Sequence, residues 1–328
     1  MPQISLDEIE QTVCLALTSH GAGAFAAAEV ARAVRKAESV GNKICGLYYV
    51  ESYCQQLRTG RVSGTVTPQV STPRGGAVVV DAGFGFAQPA FAHALPVALD
   101  AARRNGVASL SVAHAHTCTA LGYFTQQIAQ AGMIGIGFTN ASPIVAAPGG
   151  KTRAIGTNPI AFSVPDGAGG VAIQFDQSTT TVALGKITMA KAAGEAIPLG
   201  WALDAGGNPT TDPDAAIKGT LVSMGGYKGW GFGLMVEVLA AALTGSTLSR
   251  DVKPLKSPEG APHDLGQYYL LIDPAVSPDF AAKIQSLADH IAQDEGARMP
   301  GQGKQVMDPV EVGADTWALM ERLATPAG

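Results

Sequence analysis

The chain opens with stretches in which apolar residues return every three or four positions. In "SLDEIEQTVCLALTSHG", Ser5 is placed to cap a helix whose first turn is acidic. "GAFAAAEVARAVRKAESVG" predicts a second helix ending at Gly41, and "GLYYVESYCQQLRTGRV" a third with Gly60 near its C-cap. The start of the chain therefore predicts a helical layer.

From Ala77 onward the period changes. "GGAVVVDAGFGFAQPAFAHALPVALDAARRNG" reads as a strand, a Gly-rich turn and a helix closed by Asn105-Gly106. "VASLSVAHA" predicts a strand, "ALGYFTQQIAQAG" a helix and "MIGIGFTNAS" a buried strand. "GVAIQFDQST" predicts another strand, "TTDPDAAIKG" a turn into a short helix, and "YKGWGFGLMVEVLAAALTG" a long buried helix. "GQYYLLIDPAVS" is a strand, followed by helices in "PDFAAKIQSLADHIAQD" and "GADTWALMERLA". Such alternation predicts an α/β core. The expected division is a helical segment 1–75 packed with C-terminal helices 275–328, around an α/β core 76–274.

At 328 residues the chain exceeds one ordinary core. Hydrophobic residues make up 46% and charged residues 15%, so a well-buried globular protein is expected. The net charge is −5 with scattered Lys and Arg, which argues against a nucleic-acid partner. The most apolar stretch carries Glu237 and is too short to span a bilayer. The N-terminus lacks a basic region followed by an apolar one, so no signal peptide and a cytoplasmic location are expected. Cys14, Cys45, Cys54 and Cys118 have no paired spacing and read as reduced thiols.

Several chemistries lose their motif. "GFGFAQ" at Gly83 and Gly85 lacks the third glycine of a dinucleotide fingerprint and reads as a turn. "PGGKT" at 148–152 has Val145 where a phosphate-binding loop needs glycine. Neither a Gly-x-Ser-x-Gly elbow nor a zinc ligand set is found, and no metal is expected. What remains is His114-Ala-His116 at a strand end. Positions two apart share a strand face, so three uses are open: a common pocket, a shared metal, or one core and one rim histidine. Thr157 in "GTNP", Asp176 at a strand end and Lys228 in "GGYKGWG" add polar groups among small residues, in keeping with an anion-holding site.

Five longer stretches carry a resemblance: "HAHTCTALGYF", "TNASPIVAAPGG", "IGTNPIAF", "ALGKITMAKAAGEAIPLGWALDAGGNPTTDPDAA" and "GGYKGWGFGLMVEVLAAALTG". From about Ala77 to Asp273 the chain resembles the non-Rossmann malate/L-lactate dehydrogenase family, which also holds ureidoglycolate and sulfolactate dehydrogenases and the Δ1-pyrroline-2-carboxylate and Δ1-piperideine-2-carboxylate reductases. The resemblance implies a non-Rossmann α/β fold with a mixed sheet, a cofactor region near residues 110–250, NADPH or NADH as cofactor, and a homodimer. It implies that His116, with Thr117, Cys118, Thr119, Ala120 and Asn140, borders the cofactor. Asp176, Gln177, Ser178, Lys228, Arg298, Pro300 and Gly301 fall on further cofactor-contacting positions, and Thr157 on a substrate-contacting one.

One departure bears on catalysis. Where the family carries Ser-His-Gly and then an Arg, this chain has Ile44, Cys45, Gly46 and Tyr49. The family histidine donates the proton and the arginine holds the substrate carboxylate. Cys45, His114, His116 and Lys186 become candidates for the catalytic role. Tyr49, Lys186 and Thr157 become candidates for substrate contact. "YCQQLRTG", "HTCTALGYF" and "ALGKITMAK" look closest to the cyclic-imine branch, although Lys186 stands where that branch has aspartate. The expectation is an NAD(P)H-dependent reductase of a small 2-imino or 2-oxo carboxylate. The alternatives are an open-chain 2-hydroxy-acid dehydrogenase, or a catalytically altered nucleotide-binding protein.

Overall fold

A computed structural model of the chain describes residues 1–325. Its opening layer contains α1 (Leu6–Ser19), α2 (Ala24–Ser39) and α3 (Val50–Thr59). Ser5 caps α1 reciprocally: Glu8 N–H donates to Ser5 Oγ at 3.2 Å, and Ser5 N–H to Glu8 Oε2 at 3.0 Å. Gly60 ends α3 at φ +75°, a backbone angle that side chains oppose. The third helix starts later than its apolar pattern predicts. Lys43–Cys45 and Leu47–Tyr49 are single 3-10 turns, and they carry the Ile44-Cys45 segment as an elbow.

The main sheet has seven strands. In spatial order they are Gln69–Arg74, Ala77–Asp81, Val107–Ala115, Leu265–Ile272, Ile134–Thr139, Ile160–Pro165 and Val171–Gln177. Only the pair Ala77–Asp81 and Val107–Ala115 is parallel, so the sheet is mixed, as expected. α4 (Ala87–Asn105) and α5 (Gly122–Gln130) pack on it around Phe91, Leu110, Phe124 and Tyr269. Ala90, Ala94, Ala98 and Ala101 of α4 are fully buried. Their small size lets the helix lie close against the strands. The Gly83-Phe84 segment is a turn, with Gly83 N–H donating to Asp81 Oδ1 at 2.8 Å.

A second sheet of five short strands lies within residues 145–221. With α6 (Leu184–Ala193) and α7 (Pro213–Lys218) it encloses its own core of Val145, Ile155, Ile187 and Leu221. The chain continues through α8 (Tyr227–Glu237), a π-helical turn Val238–Ala242, α9 (Phe280–Ile291) and α10 (Ala314–Ala324). Met320 of α10 joins Val310, Val312 and the N-terminal layer in one core.

The expectation that α8 is buried needs correction. Phe232, Leu234, Met235 and Val238 are 38–57% exposed, because the helix packs on the sheet by one side only. Among the described residues, no helix is long and apolar enough to cross a membrane.

Candidate active site

A cavity of about 520 Å³ opens between α2, α5, the strand Val171–Gln177 and the 300s loop. Its walls are cross-linked through the first residue of α5. Gly122 N–H donates to Asp176 Oδ2 at 2.7 Å, and Gln174 Nε2 donates to the Gly122 carbonyl at 2.9 Å. The Asp176 carboxylate thus sits at a helix N-terminus, where negative charge is favoured. Crowding by protein atoms still raises its pKa, against the opposing pull of the Gly122 amide and the Lys304 charge. Gln174 N–H also donates to the Pro300 carbonyl at 2.9 Å, fixing the 300s loop to the strand. Gly301 there takes φ +91°, and an added Cβ would come 3.0 Å from the Gln174 backbone. Ala120, Asp176 and Gly301, three of the expected cofactor residues, line this cavity together.

The cavity wall includes Asn42, next to the Ile44-Cys45 elbow. That elbow is held by Glu38 of α2, whose buried carboxylate accepts Leu47 N–H at 2.8 Å. Gly46 lies against the same carboxylate so closely that an added Cβ would overlap it. A side chain there would have to displace the Glu38 carboxylate from its bond to Leu47 N–H. Ile44 is exposed, and its Cδ1 would be 3.0 Å from a Cβ at Gly185. Lys186, the next residue of α6, is exposed nearby. The half-buried Cys45 thiol is pushed up to about 11, chiefly by desolvation and then by the Asp176 charge. Tyr49 stacks on Tyr53 at 5.9 Å, forming an aromatic wall beside the elbow.

The two histidines do not share a face, which corrects the common-pocket and shared-metal readings. His114 takes φ +49°, and the strand register against Leu265–Ile272 slips at this point. The bulge breaks the alternation and sends the side chains apart. His114 turns outward, with Nδ1 3.1 Å from Asp81 Oδ1. His116 turns inward and is 1% exposed, ringed by Tyr53, Phe86 and His263. Its Nε2 lies 2.7 Å from Gln56 Oε1. Gln56 Nε2 donates to the Leu255 and Ser257 carbonyls, both at 2.8 Å. Gln56 therefore presents its oxygen to the ring, and His116 Nε2 carries the proton.

Burial pushes His116 well below the usual histidine range, helped by the neighbouring His263 and Arg61. His263 is pushed down to about 4, by desolvation first and Arg61 second. Both stay neutral in the folded protein while the unfolded chain protonates below about pH 6.5. Stability is thus fully present above that pH and is lost as pH falls. For His263 alone the loss between about pH 6.5 and 4 is ~3 kcal/mol. The melting temperature is expected to be level near pH 7–8 and to drop below 6.5, with a shallower drop in His263→Gln. An identical pH dependence in that variant would remove His263 as the cause.

The remaining expected residues are dispersed. Asn140 is buried as a strap, donating to the Thr247 carbonyl at 2.8 Å and accepting Gly266 N–H at 3.2 Å. Cys118 is buried, and its carbonyl accepts the Thr119 hydroxyl at 2.6 Å. Thr117 is half-buried in the same segment. Gln177 and Ser178 follow Asp176 out of the strand, with Ser178 Oγ 2.9 Å from Thr180 Oγ1. The Thr157 carbonyl accepts Thr179 N–H at 2.9 Å and its hydroxyl at 3.0 Å. Beside it, the buried Asn158 donates to the Gly233 carbonyl at 3.0 Å and Glu237 Oε2 at 2.8 Å, tying this turn to α8. Lys228 on α8 and Arg298 are exposed and do not line the cavity.

Three lysines that motif reading passes over are brought to the site. Lys36 and Lys304 line the cavity. Lys256 sits with Nζ 3.3 Å from the Tyr48 ring centroid and 5.2 Å from that of Tyr49. Its loop is held by Gln56, by Thr59, which donates to the Pro258 carbonyl at 2.7 Å, and by the buried Arg61, which donates to the carbonyls of Pro254, Ser257 and Ala261. No sequence signal links residues some 200 positions apart, so only folding discloses this cation.

Known proteins give this geometry a setting. A (2R)-3-sulfolactate dehydrogenase (NADP(+)) from Chromohalobacter salexigens is 38% identical over 93% of this chain and 91% of its own. A Δ1-pyrroline-2-carboxylate/Δ1-piperideine-2-carboxylate reductase from Pseudomonas putida is 34% identical over 92% of this chain and 89% of its own. Among solved structures, a Δ1-piperideine-2-carboxylate reductase from Pseudomonas syringae pvar. tomato superposes with TM-score 0.90 at 28% identity, covering 98% of this chain and 100% of its own. The family described as malate/L-lactate dehydrogenase matches residues 4–315. With nearly the whole length matched in sequence and in fold, the chain belongs to the malate/L-lactate dehydrogenase family of oxidoreductases.

Proposed function

We propose that the protein reduces a cyclic 2-imino carboxylate of the Δ1-pyrroline-2-carboxylate or Δ1-piperideine-2-carboxylate kind, with NADPH as reductant. The observation that carries this reading is the absence of a competent acid at the elbow. Ile44 has no proton to give, and Cys45 at about 11 is far from the neutral pH at which a general acid works best. Reduction of a C=O carbon to an alcohol needs a proton on oxygen. A cyclic imine takes its proton on nitrogen from solvent before it is reduced, so the enzyme has none to supply. The relatives named as cyclic-imine reductases support the same choice.

The cavity suits a dinucleotide. Its volume is within the range of small-molecule sites, and it offers two cations and several amide groups to a polyanion. The cofactor, once bound, supplies the hydride. The chain's own part is orientation. Tyr49, backed by the buried Tyr53, gives the substrate ring an aromatic flank. Lys43, Lys186 and Lys256 are cations near the elbow; Lys43 Nζ is turned to the Glu311 carbonyl, and Lys256 is the best placed to hold a carboxylate in place of the absent arginine, since it already sits over Tyr48 and Tyr49. Lys256→Met is expected to raise KM for the imine about tenfold, ~1.4 kcal/mol, with little change in NADPH affinity. An unchanged KM would return the role to Lys186 or to the backbone around Thr157.

The exposed apolar side of α8 supports a homodimer, since a helix apolar on every side is normally covered. Four unpaired cysteines are in keeping with a reducing, cytoplasmic setting.

The deciding experiment follows NADPH absorbance with both cyclic imines, pyruvate, oxaloacetate and sulfopyruvate. A kcat/KM at least 100-fold higher for a cyclic imine is expected. Cys45→Ser and His114→Ala are expected to retain imine reduction within about threefold, because neither donates the proton. Preference for an open-chain 2-oxo acid would establish the reading favoured by the sulfolactate dehydrogenase relative. Nucleotide binding without turnover on any of them would mark a protein that has lost catalysis.

A further inference from the structure

Two cations, Lys36 and Lys304, face the same cavity as the Asp176 carboxylate, and neither forms a salt bridge with it. Lys36 lies in the last turn of α2 and is only half-exposed. Lys304 approaches from the 300s loop and lines the same cavity. Among the described residues, neither lysine has a carboxylate within salt-bridge distance. The nearest acid to be influenced is Asp176, whose pKa Lys304 lowers, but its Oδ2 is already engaged by the Gly122 amide.

A cation at a helix C-terminus is ordinary by itself, because it meets the partial negative charge of the last carbonyls. The second lysine is what that account leaves over. Burial first, and then the Lys304 charge, lower the Lys36 pKa, so the Lys36 ammonium is held where Lys304 opposes it. Proteins offset such an arrangement with an anion, and a group carrying two negative charges meets both cations at once. Gln126 and Gln130 of α5 line the same cavity and add neutral donors.

We propose that Lys36 and Lys304 form the site for the 2′-phosphate of NADPH and thereby set the cofactor preference of the enzyme. The inference rests on the nicotinamide-cofactor reading given above. NADPH and NADH differ only in this phosphate, so the lysine pair discriminates between them without touching the reacting end. Lysine serves here as a point charge, and two of them converging on one phosphate do what a single forked arginine does elsewhere.

The test is equilibrium binding rather than turnover. NADPH, NADH, 2′,5′-ADP, 5′-AMP and inorganic phosphate are titrated by calorimetry into wild type, Lys36→Met, Lys304→Met, the double variant and Lys36→Arg. Wild type is expected to bind NADPH at least tenfold tighter than NADH, and 2′,5′-ADP tighter than 5′-AMP by a similar factor. Each methionine variant is expected to lose most of that advantage, while NADH and 5′-AMP affinities move by no more than about twofold. Lys36→Arg retains the preference, and melting temperatures show that all variants are folded. Equal losses for both nucleotides would place the lysines on the pyrophosphate, and unchanged affinities would leave them with no ligand; either result overturns the proposal. Inorganic phosphate competing as well as 2′,5′-ADP would also overturn it, reducing the site to a general anion trap. If wild type binds neither dinucleotide, the oxidoreductase reading itself falls. If wild type reduces imines yet binds NADPH and NADH equally, that reading stands and only the lysine assignment fails.

Discussion

The combined variant Ile44→Ser, Cys45→His, Tyr49→Arg is expected to raise kcat/KM for an open-chain 2-oxo acid at least 100-fold over wild type. An imidazole titrates near neutral pH and both gives and takes a proton there, whereas the Cys45 thiol at about 11 does neither effectively. A well-placed general acid contributes roughly 10²–10⁴-fold, so the lower end of that range sets the expectation. The elbow accepts the change because its backbone is fixed from beneath. Glu38 holds Leu47 N–H, and Gly46 is untouched. Ile44 is exposed and Cys45 half-buried, so neither replacement opens a core cavity. Arginine at position 49 meets Lys256, whose Nζ is 5.2 Å from the present ring centroid. The gain is therefore expected to be larger when Lys256→Met is added. Steady-state kinetics with oxaloacetate, pyruvate and a cyclic imine on the same preparations check this. A variant that stays folded and binds NADPH, yet reduces no 2-oxo acid faster than wild type, would show that the elbow does not face the reacting atoms.

The second large effect concerns α8. Replacing Leu234 and Val238 with aspartate is expected to convert the proposed dimer to a monomer and to lower activity at least 100-fold. Tyr227, Phe232, Leu234, Met235, Val238 and Leu243 are all exposed on a single chain, with Tyr227 at 72% and Val238 at 57%. A contiguous patch of this kind marks an interaction surface. Two carboxylates buried in an apolar interface without partners cost several kcal/mol each, more than a typical interface tolerates. The monomer still folds, since the inner side of the helix keeps Val236 in the cluster with Phe138 of the main sheet, but its outer side loses the partner that steadies it. The loss of activity follows from Asn158 and Glu237, which tie the Thr157 turn to this helix, so a loosened α8 loosens that turn. Sedimentation velocity with parallel kinetics checks both halves. A wild-type protein that sediments as a monomer would leave the patch to another partner, and a monomeric variant with full activity would separate the patch from catalysis.

Apolar periodicity located the N-terminal helices, the Ala-rich α4, the strands at 77–81, 107–115, 134–139, 171–177 and 265–272, and the closing helices, because these elements are long enough for a period to show. It passed over the small sheet within 145–221, whose strands are two or three residues long, and also the main-sheet strands Gln69–Arg74, which is polar and mostly exposed, and Ile160–Pro165. It could not show that α8 is covered on one side only, since a helix apolar all round has the same pattern whether its outer face meets its own core or another chain. The family was legible in the motifs, because a motif is a property of residue identity in order, and the same order shows Ile44-Cys45 in the segment proposed to lack a proton donor. The fates of His114 and His116 were not legible. Alternation puts them on one face, and a single φ of +49° sends one outward to Asp81 and the other into the core. The lysines at 36, 256 and 304 carry no motif at all. What brings Lys256 to the elbow and Lys304 to the cavity is the placement of the 250s and 300s loops, set by long-range hydrogen bonds from Gln56, Arg61 and Gln174 that only the folded chain can form.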